Sequence, residues 1–276
     1  MVSYMTVFAM IPSLLISLAL PVLIIFLFVK RNKGQKLLSA WLLGAAGFVV
    51  TQLLIRVPML TALQNQSWFI AFSENHIFLF AFTLAFTAGL FELAGRFAVA
   101  KLMQKNLTCK RSLAAGLGHG GIEAMILVGS SYLTEIALIF MINSGSFDAM
   151  VAQAAQAGVD PSTMIQLKDT LIHTAPAMFL LGGYERLLAM TAHLAMSMIV
   201  CYSLHTGSPL KGALLCLGIH TFLDLTAGIS MLIGNGLSQT VAYLIVYTIL
   251  TVMAFISVLV IRRILQNWKE TEVNHV

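Results

Sequence analysis

Apolar residues run along this chain in blocks of about 20 or more, broken by short polar stretches. Each block is long enough to span a hydrocarbon layer as a helix, at about 1.5 Å of rise per residue. The pattern predicts helices at 6–29, 37–61, 77–101, 112–142, 177–204, 211–233 and 239–265, about seven crossings. A transmembrane barrel would instead show alternating segments of roughly ten residues. The expected fold is all-α and polytopic, a single transmembrane domain over 1–276. The first block has no basic residue before it and no small-residue cleavage pattern after it, so it reads as a retained helix.

Composition agrees with the pattern: 59% of the 276 residues are hydrophobic and only 10% are charged. A soluble domain carries roughly 25% charged residues, so lipid must be the solvent for most of this surface. The net charge of +5 could suggest nucleic acid, but the placement of the charges excludes that reading. Lys30, Arg31, Lys33, Lys36, Lys101, Lys105, Lys110, Arg111, Lys211, Arg262, Arg263 and Lys269 fall on one side of the predicted topology. They make 12 of the 16 basic residues, against Lys168 on the other side. The excess marks the cytoplasmic face and predicts N-terminus out, C-terminus in, in a cell membrane of bacterial type.

Between the fourth and fifth crossings an outward loop, 143–175, carries Asp148, Asp160 and Asp169. Its stretch from Asp148 to Ala157 has the makings of an interfacial helix that Pro161 would break. Cys109, Cys201 and Cys216 lie in or beside the membrane, where no structural disulfide is expected, and their spacing matches no zinc motif. Asn106-Leu107-Thr108 fits a glycosylation sequon but faces the cytoplasm on this topology, so it should go unused.

Removing the loop charges leaves a short list inside the spans: Arg56, Arg96, Arg186, Glu92, Glu123, Glu135, Glu185 and Asp224, with His119, His193 and His220. Each charge placed in a bilayer costs at least about 2.5–3.5 kcal/mol, so each needs a partner or a purpose. Counted from the basic end of its helix, each of Glu92, His119, Glu123, His193, His220 and Asp224 lies 8 to 13 residues in. That depth is about 12–20 Å. Glu135, Glu185, Arg186 and Arg56 form a deeper tier, about 20–24 residues in. The outer tier reads as structural glue, with the adjacent Glu185 and Arg186 pointing apart and each needing its own partner.

Spacing fixes faces as well. Glu92 and Arg96, His119 and Glu123, and His220 and Asp224 are each four apart, so each pair shares one helix face. Gly116, Gly118, Gly120 and Gly121 strip side chains from around His119 and admit a neighbouring helix or a substrate backbone. A membrane histidine is commonly an interhelical hydrogen-bonding group, and Glu92 with Arg96 makes a reasonable structural ion pair. Convergence of so many groups at one depth exceeds what helix packing requires.

A buried glutamate can take a proton from water and return it to a leaving amine, while histidines donate to the oxyanion of a tetrahedral intermediate. Asp224, one turn from His220, could orient that ring. Alternatively, histidines and a carboxylate could bind Zn²⁺ and leave a position for water. No HExxH or GxSxG is present.

Phe91-Glu92-Leu93-Ala94-Gly95-Arg96, Gly118-His119-Gly120-Gly121-Ile122-Glu123-Ala124, Glu185-Arg186 with His193, and His220-Thr221-Phe222-Leu223-Asp224 resemble, in order, the motifs of the YhfC family. These are expected intramembrane peptidases similar to the PrsW proteases and the wider CAAX-protease and bacteriocin-immunity superfamily. The resemblance covers roughly residues 83–230. It implies a glutamate-activated water with histidines stabilising the transition state. By position, Glu92 and Arg96 match the first motif, Glu123 the acidic second motif, His193 the fifth-helix histidine, and His220 with Asp224 the closing motif. The glutamate pair usual in the first motif is Glu92-Leu93 here, and His119 and Glu123 stand where CAAX enzymes carry phenylalanine and histidine. Glu92 and Glu123 are both therefore candidate bases.

The expected activity is cleavage of a membrane-embedded or membrane-proximal peptide bond. Glu92, Glu123, His193, His220 and Asp224 form the candidate catalytic set, supported by Arg96, His119, Glu185 and Arg186. No cofactor is required on the glutamate mechanism; if Zn²⁺ is used, His119, Glu123, His193 and His220 are the candidate ligands. The expected partners are membrane lipid and a peptide or transmembrane-protein substrate, with no nucleic acid. A non-catalytic scaffold of the same fold is the alternative, followed by an ion or proton transporter.

Overall fold

The computed structural model describes residues 1–158, 160–228 and 238–273. Helices α1 (Tyr4–Arg31), α2 (Leu37–Leu63), α4 (Ile77–Asn106), α5 (Cys109–Ser144) and α8 (Pro176–His205) are long and apolar enough to cross a membrane. So is the stretch Gln239–Trp268 of α10 (Gln239–Val273). Helix α9 (Pro209–Gly228) has 20 residues, about 30 Å, the thickness of a hydrocarbon core; the expected continuation over 229–233 lies outside the described residues. Three shorter helices complete the set: α3 (Ser67–Asn75), α6 (Ser146–Gln156) and α7 (Ser162–His173). No strand occurs among the described residues. The protein is an all-helical, multi-pass membrane protein. Phe78 and Leu54, 72% and 66% exposed, are among the many large apolar side chains it turns outward.

Helices α1, α2, α4, α5 and α8 begin and end within about five residues of the hydrophobic blocks that predict them, while α10 runs eight residues past the expected 265. The stretch 143–175 holds two helices, α6 and α7, on either side of Pro161, so a helix forms where one was expected and a second follows it. Helix α3 has no counterpart among the expected elements. Its Phe69 and Phe72 lie edge-on to Phe80 of α4, with ring centroids 5.4 and 5.8 Å apart.

Within α1, α2 and α5 the hydrogen-bond ladder widens to a π-helical turn at Leu15–Ala19, Val49–Arg56 and Met125–Gly129. Pro21 and Pro58 stand two residues beyond the first two. A proline has no N–H to give and crowds the carbonyl one turn back, so the ladder must re-register nearby. The Val49–Arg56 turn carries Gln52 and Arg56, both of which reach toward the site.

By contact, the chain divides into two compact units. The first comprises Met1–Val22 and Ala124–Leu187. Its core is Met10, Ile139, Phe147, Leu171 and Phe179, so α6 and α7 bury one apolar face each. Ser13 ties α1 to α8, donating from Oγ to the Phe179 carbonyl at 2.8 Å and accepting from the Gly183 N–H at 3.0 Å. The Tyr132 hydroxyl donates to the same carbonyl at 2.9 Å.

The second unit comprises Leu23–Glu123 and Leu188–Val276. Small residues set its packing. A Cβ on Gly118 would lie 1.9 Å from the Trp41 carbonyl oxygen, and one on Gly44 would lie 1.9 Å from that of Ala115. Helices α2 and α5 therefore meet backbone to backbone, which larger side chains would forbid. Gly116 and Gly120 face Leu194 and His193 of α8 in the same way. His119 is thereby held between α2 and α8, with the Phe48 ring edge-on to its own at 5.4 Å.

Candidate active site

The centre of the second unit is Glu92, buried on α4 at 4% exposure. Its Oε2 lies 3.0 Å from Arg96 Nη2, 3.0 Å from His119 Nε2 and 2.8 Å from His220 Nε2. Its Oε1 accepts from Gln52 Nε2 at 2.8 Å. One carboxylate thus receives four donors from α2, α4, α5 and α9. An ionised carboxylate has about four lone-pair sites, so Glu92 is close to full.

Glu123 and His193 form the second half. His193 Nε2 lies 2.8 Å from Glu123 Oε2, while its Nδ1 is 2.5 Å from Arg96 Nη2 and 3.6 Å from Glu92 Oε2. A guanidinium only donates, so Nδ1 must accept, and a neutral His193 then carries its proton on Nε2. That nitrogen is the one beside Glu123. The His193 ring stacks on His119 at 5.5 Å and stands edge-on to His220 at 5.6 Å. Asp224 Oδ2 sits 3.4 Å from His220 Nδ1, so both nitrogens of that ring face carboxylates. The Asp224 side chain is 38% exposed and forms the edge of the group.

Of the residues expected in the site, Glu92, Arg96, His119, Glu123, His193, His220 and Asp224 are brought together. Glu185 and Arg186 belong to the first unit. The expectation that they point apart is corrected, because Arg186 Nη2 hydrogen-bonds Glu185 Oε1 directly; two long side chains on adjacent helix positions can curl toward each other. Arg56 ties α2 to α4, as the glue reading expects, through Leu84 and Thr87, and it also reaches the site through Gln52. Depth counting follows the Cα atom, whereas an arginine side chain reaches beyond its own turn. Arg56 Nη1 donates to Gln52 Oε1 at 3.3 Å, and its Nη2 donates to the Leu84 carbonyl at 2.7 Å.

Gln52 is the residue that sequence reasoning misses. A lone glutamine in an apolar helix carries no charge to draw notice, yet it bridges Arg56 to Glu92. The usable signal was its position six residues before Pro58, in the segment where the helix had to re-register.

Glu92, His119, Glu123 and His193 each offer a ligand atom, all within 4.8 Å of one another. This set differs from the expected one by Glu92 in place of His220. Imidazole nitrogens with carboxylate oxygens and no thiolate are the donors of catalytic zinc-type sites, and the set fits such an ion. Gln52 and Arg96 supply the outer hydrogen bonds that orient ligands in such sites. Cys109, Cys201 and Cys216 form no disulfide.

Comparison with known proteins places the chain in a family. A curated relative described as an uncharacterized membrane protein YhfC, from Bacillus subtilis (strain 168), is 29% identical over 206 residues, 71% of this chain and 74% of that protein. No solved structure matches the chain. The family model described as YhfC intramembrane metalloprotease matches residues 16–250, which include every member of the buried cluster. This chain belongs to the YhfC intramembrane metalloprotease family.

Proposed function

We propose that this protein is an intramembrane endopeptidase in which a buried glutamate activates water and neighbouring histidines stabilise the charge that develops on the scissile carbonyl. The observation that carries the reading is the convergence of Glu92, Glu123, His119, His193 and His220 inside a membrane-spanning chain. Ionisable groups are expensive there, so such a group implies chemistry more than packing.

Glu123 is the general base of this reading. Glu92 already receives four donors, which leaves it little capacity for another proton. Arg96 balances Glu92 and holds His193 by Nδ1, which leaves Nε2–H on the Glu123 side of the ring, able to donate to an oxyanion formed there. His220, with Asp224 3.4 Å from its Nδ1, is the second group that stabilises charge, through the Glu92 carboxylate it donates to. Glu92, His119, Glu123 and His193 are the residues that would hold a metal ion, which when bound supplies an acidified water and a polarised carbonyl. The substrate is a peptide bond within or beside the bilayer.

The test is cleavage of a panel of transmembrane peptides by the protein in liposomes, with and without Zn²⁺ and chelator. Wild type should cleave at least one peptide. Glu123→Gln should lose at least about 100-fold in rate, the scale of a missing general base. Chelator sensitivity restored by Zn²⁺ would establish the metal. Silence from wild type under every condition, with Glu123→Gln unchanged in fold, would sink the peptidase reading in favour of a non-catalytic scaffold.

A further inference from the structure

A second polar feature of the same unit has no part in that chemistry. A cavity of about 610 Å³ opens where the α1–α2 turn, the α4–α5 turn and α10 meet. Lys36, Lys110 and Arg111 line it together with Asn106, Thr108 and Trp268, and among the described residues no acidic one does. The unused sequon of the sequence, Asn106 and Thr108, thus forms part of its wall.

Two independent observations point to an anion. Helix α5 starts with Lys110 and Arg111 and has no acid in its first turn. Helix starts are the positive end of the backbone dipole and favour acids, so two cations there are unfavourable unless an outside anion offsets them. Arg111 is also 9% exposed, and no hydrogen bond or ion pair engages its side chain among the described residues; its Nε is buried without a partner. A guanidinium withdrawn from water needs acceptors for its N–H groups.

We infer that this cavity is a binding site for a phosphate group carried on an organic moiety. Arginine matches the paired oxygens of a phosphate, and two lysines supply the remaining charge. The volume is that of a small-molecule site, larger than a bare ion needs, and Trp268 with Leu265 gives it an apolar wall for the carbon attached to the phosphate. The phosphate can come from an anionic lipid headgroup or from a soluble phosphate compound, and the two sources are separable.

The test uses the full chain in non-ionic detergent. Native mass spectrometry is run with phosphatidylglycerol and with diacylglycerol, its phosphate-free counterpart. Thermal unfolding is run with inorganic phosphate against chloride at matched ionic strength. Selective retention of phosphatidylglycerol identifies a lipid headgroup; a rise in Tm with phosphate and no lipid retention identifies a soluble source. Either response should weaken about tenfold or more in Lys36→Gln/Lys110→Gln, which alters exposed side chains only and leaves the buried Arg111 in place. Arg111→Gln should abolish it. The inference is overturned if wild type responds to neither probe, or if the double variant responds as wild type does.

Discussion

The two units solve the problem of polar groups in a membrane protein differently. In the first, the interhelical contacts are mainly neutral: the Ser13 hydroxyl, the Tyr132 hydroxyl and the Asn143 amide each meet backbone groups. Its buried charge, Arg186, pairs with its neighbour Glu185 on one helix, while Lys168–Asp148 and His173–Asp169 are ion pairs of the outward helices α6 and α7 with exposed carboxylates. In the second, Glu92 collects partners from three other helices, and His193 is gripped from both sides. Neutral hydrogen bonds and small residues suffice to join helices in lipid. Buried charges shared among helices are a poor route to stability, because desolvation consumes much of their attraction. Their concentration in one unit is therefore best explained by use.

Replacing the hub should break this contrast most strongly. Glu92→Ala leaves Arg96, His119, His220 and Gln52 facing a void, and should destabilise the protein by roughly 3–5 kcal/mol; a Tm in detergent within a degree of wild type would show that the network carries no structural weight. Glu123→Gln should separate use from stability, leaving Tm nearly unchanged while cleavage falls as stated above. Gly118→Ala drives a methyl into the Trp41 carbonyl and should cost about 1–3 kcal/mol. It should also lower activity, since α2 carries Gln52 to Glu92. Full activity with a lowered Tm would disconnect packing from the site.

In the first unit the effects are smaller and confined to stability. Ser13→Ala removes one buried donor and one acceptor and should cost about 1–2 kcal/mol, with cleavage unaffected once the protein is folded. The smallest effect concerns Asp160, which accepts the backbone N–H and the hydroxyl of Ser162 at the start of α7. Those bonds hold its carboxyl below the ordinary aspartate range. A depressed carboxyl contributes stability above its unfolded pKa and loses it as pH falls through the folded value. Amide exchange in α7, corrected for intrinsic rate, should quicken at acid pH in wild type and be pH-insensitive in Asp160→Asn.

The candidate site was legible in the sequence to the extent that cost made it visible. Glu92, His119, Glu123, His193 and His220 stand out because each is anomalous in an apolar helix, and helix rise alone places them at one depth. Contacts within a helix were equally accessible: the Glu92–Arg96 pair follows from i,i+4 spacing. Contacts between helices were not. Gln52 is neutral, so no insertion penalty flags it. The choice of His119 and His220, rather than His193, as the nearest histidines to Glu92 depends on helix rotations that no single helix encodes.

By itself the sequence determined the all-helical membrane class, the approximate positions of the long helices, and the short list of ionisable groups within them. Those follow from solvation: a hydrocarbon layer demands long apolar helices and penalises each charge one residue at a time. Tertiary structure decided the partners. It made Glu92 a filled acceptor, set His193 between Arg96 and Glu123, brought Gln52 of α2 to Glu92, and laid Arg56 against the Leu84 carbonyl of α4. Those depend on crossing points and rotations fixed by steric fit, such as the contacts of Gly44 and Gly118 that bring two backbones together. Such fit exists only once the helices have met.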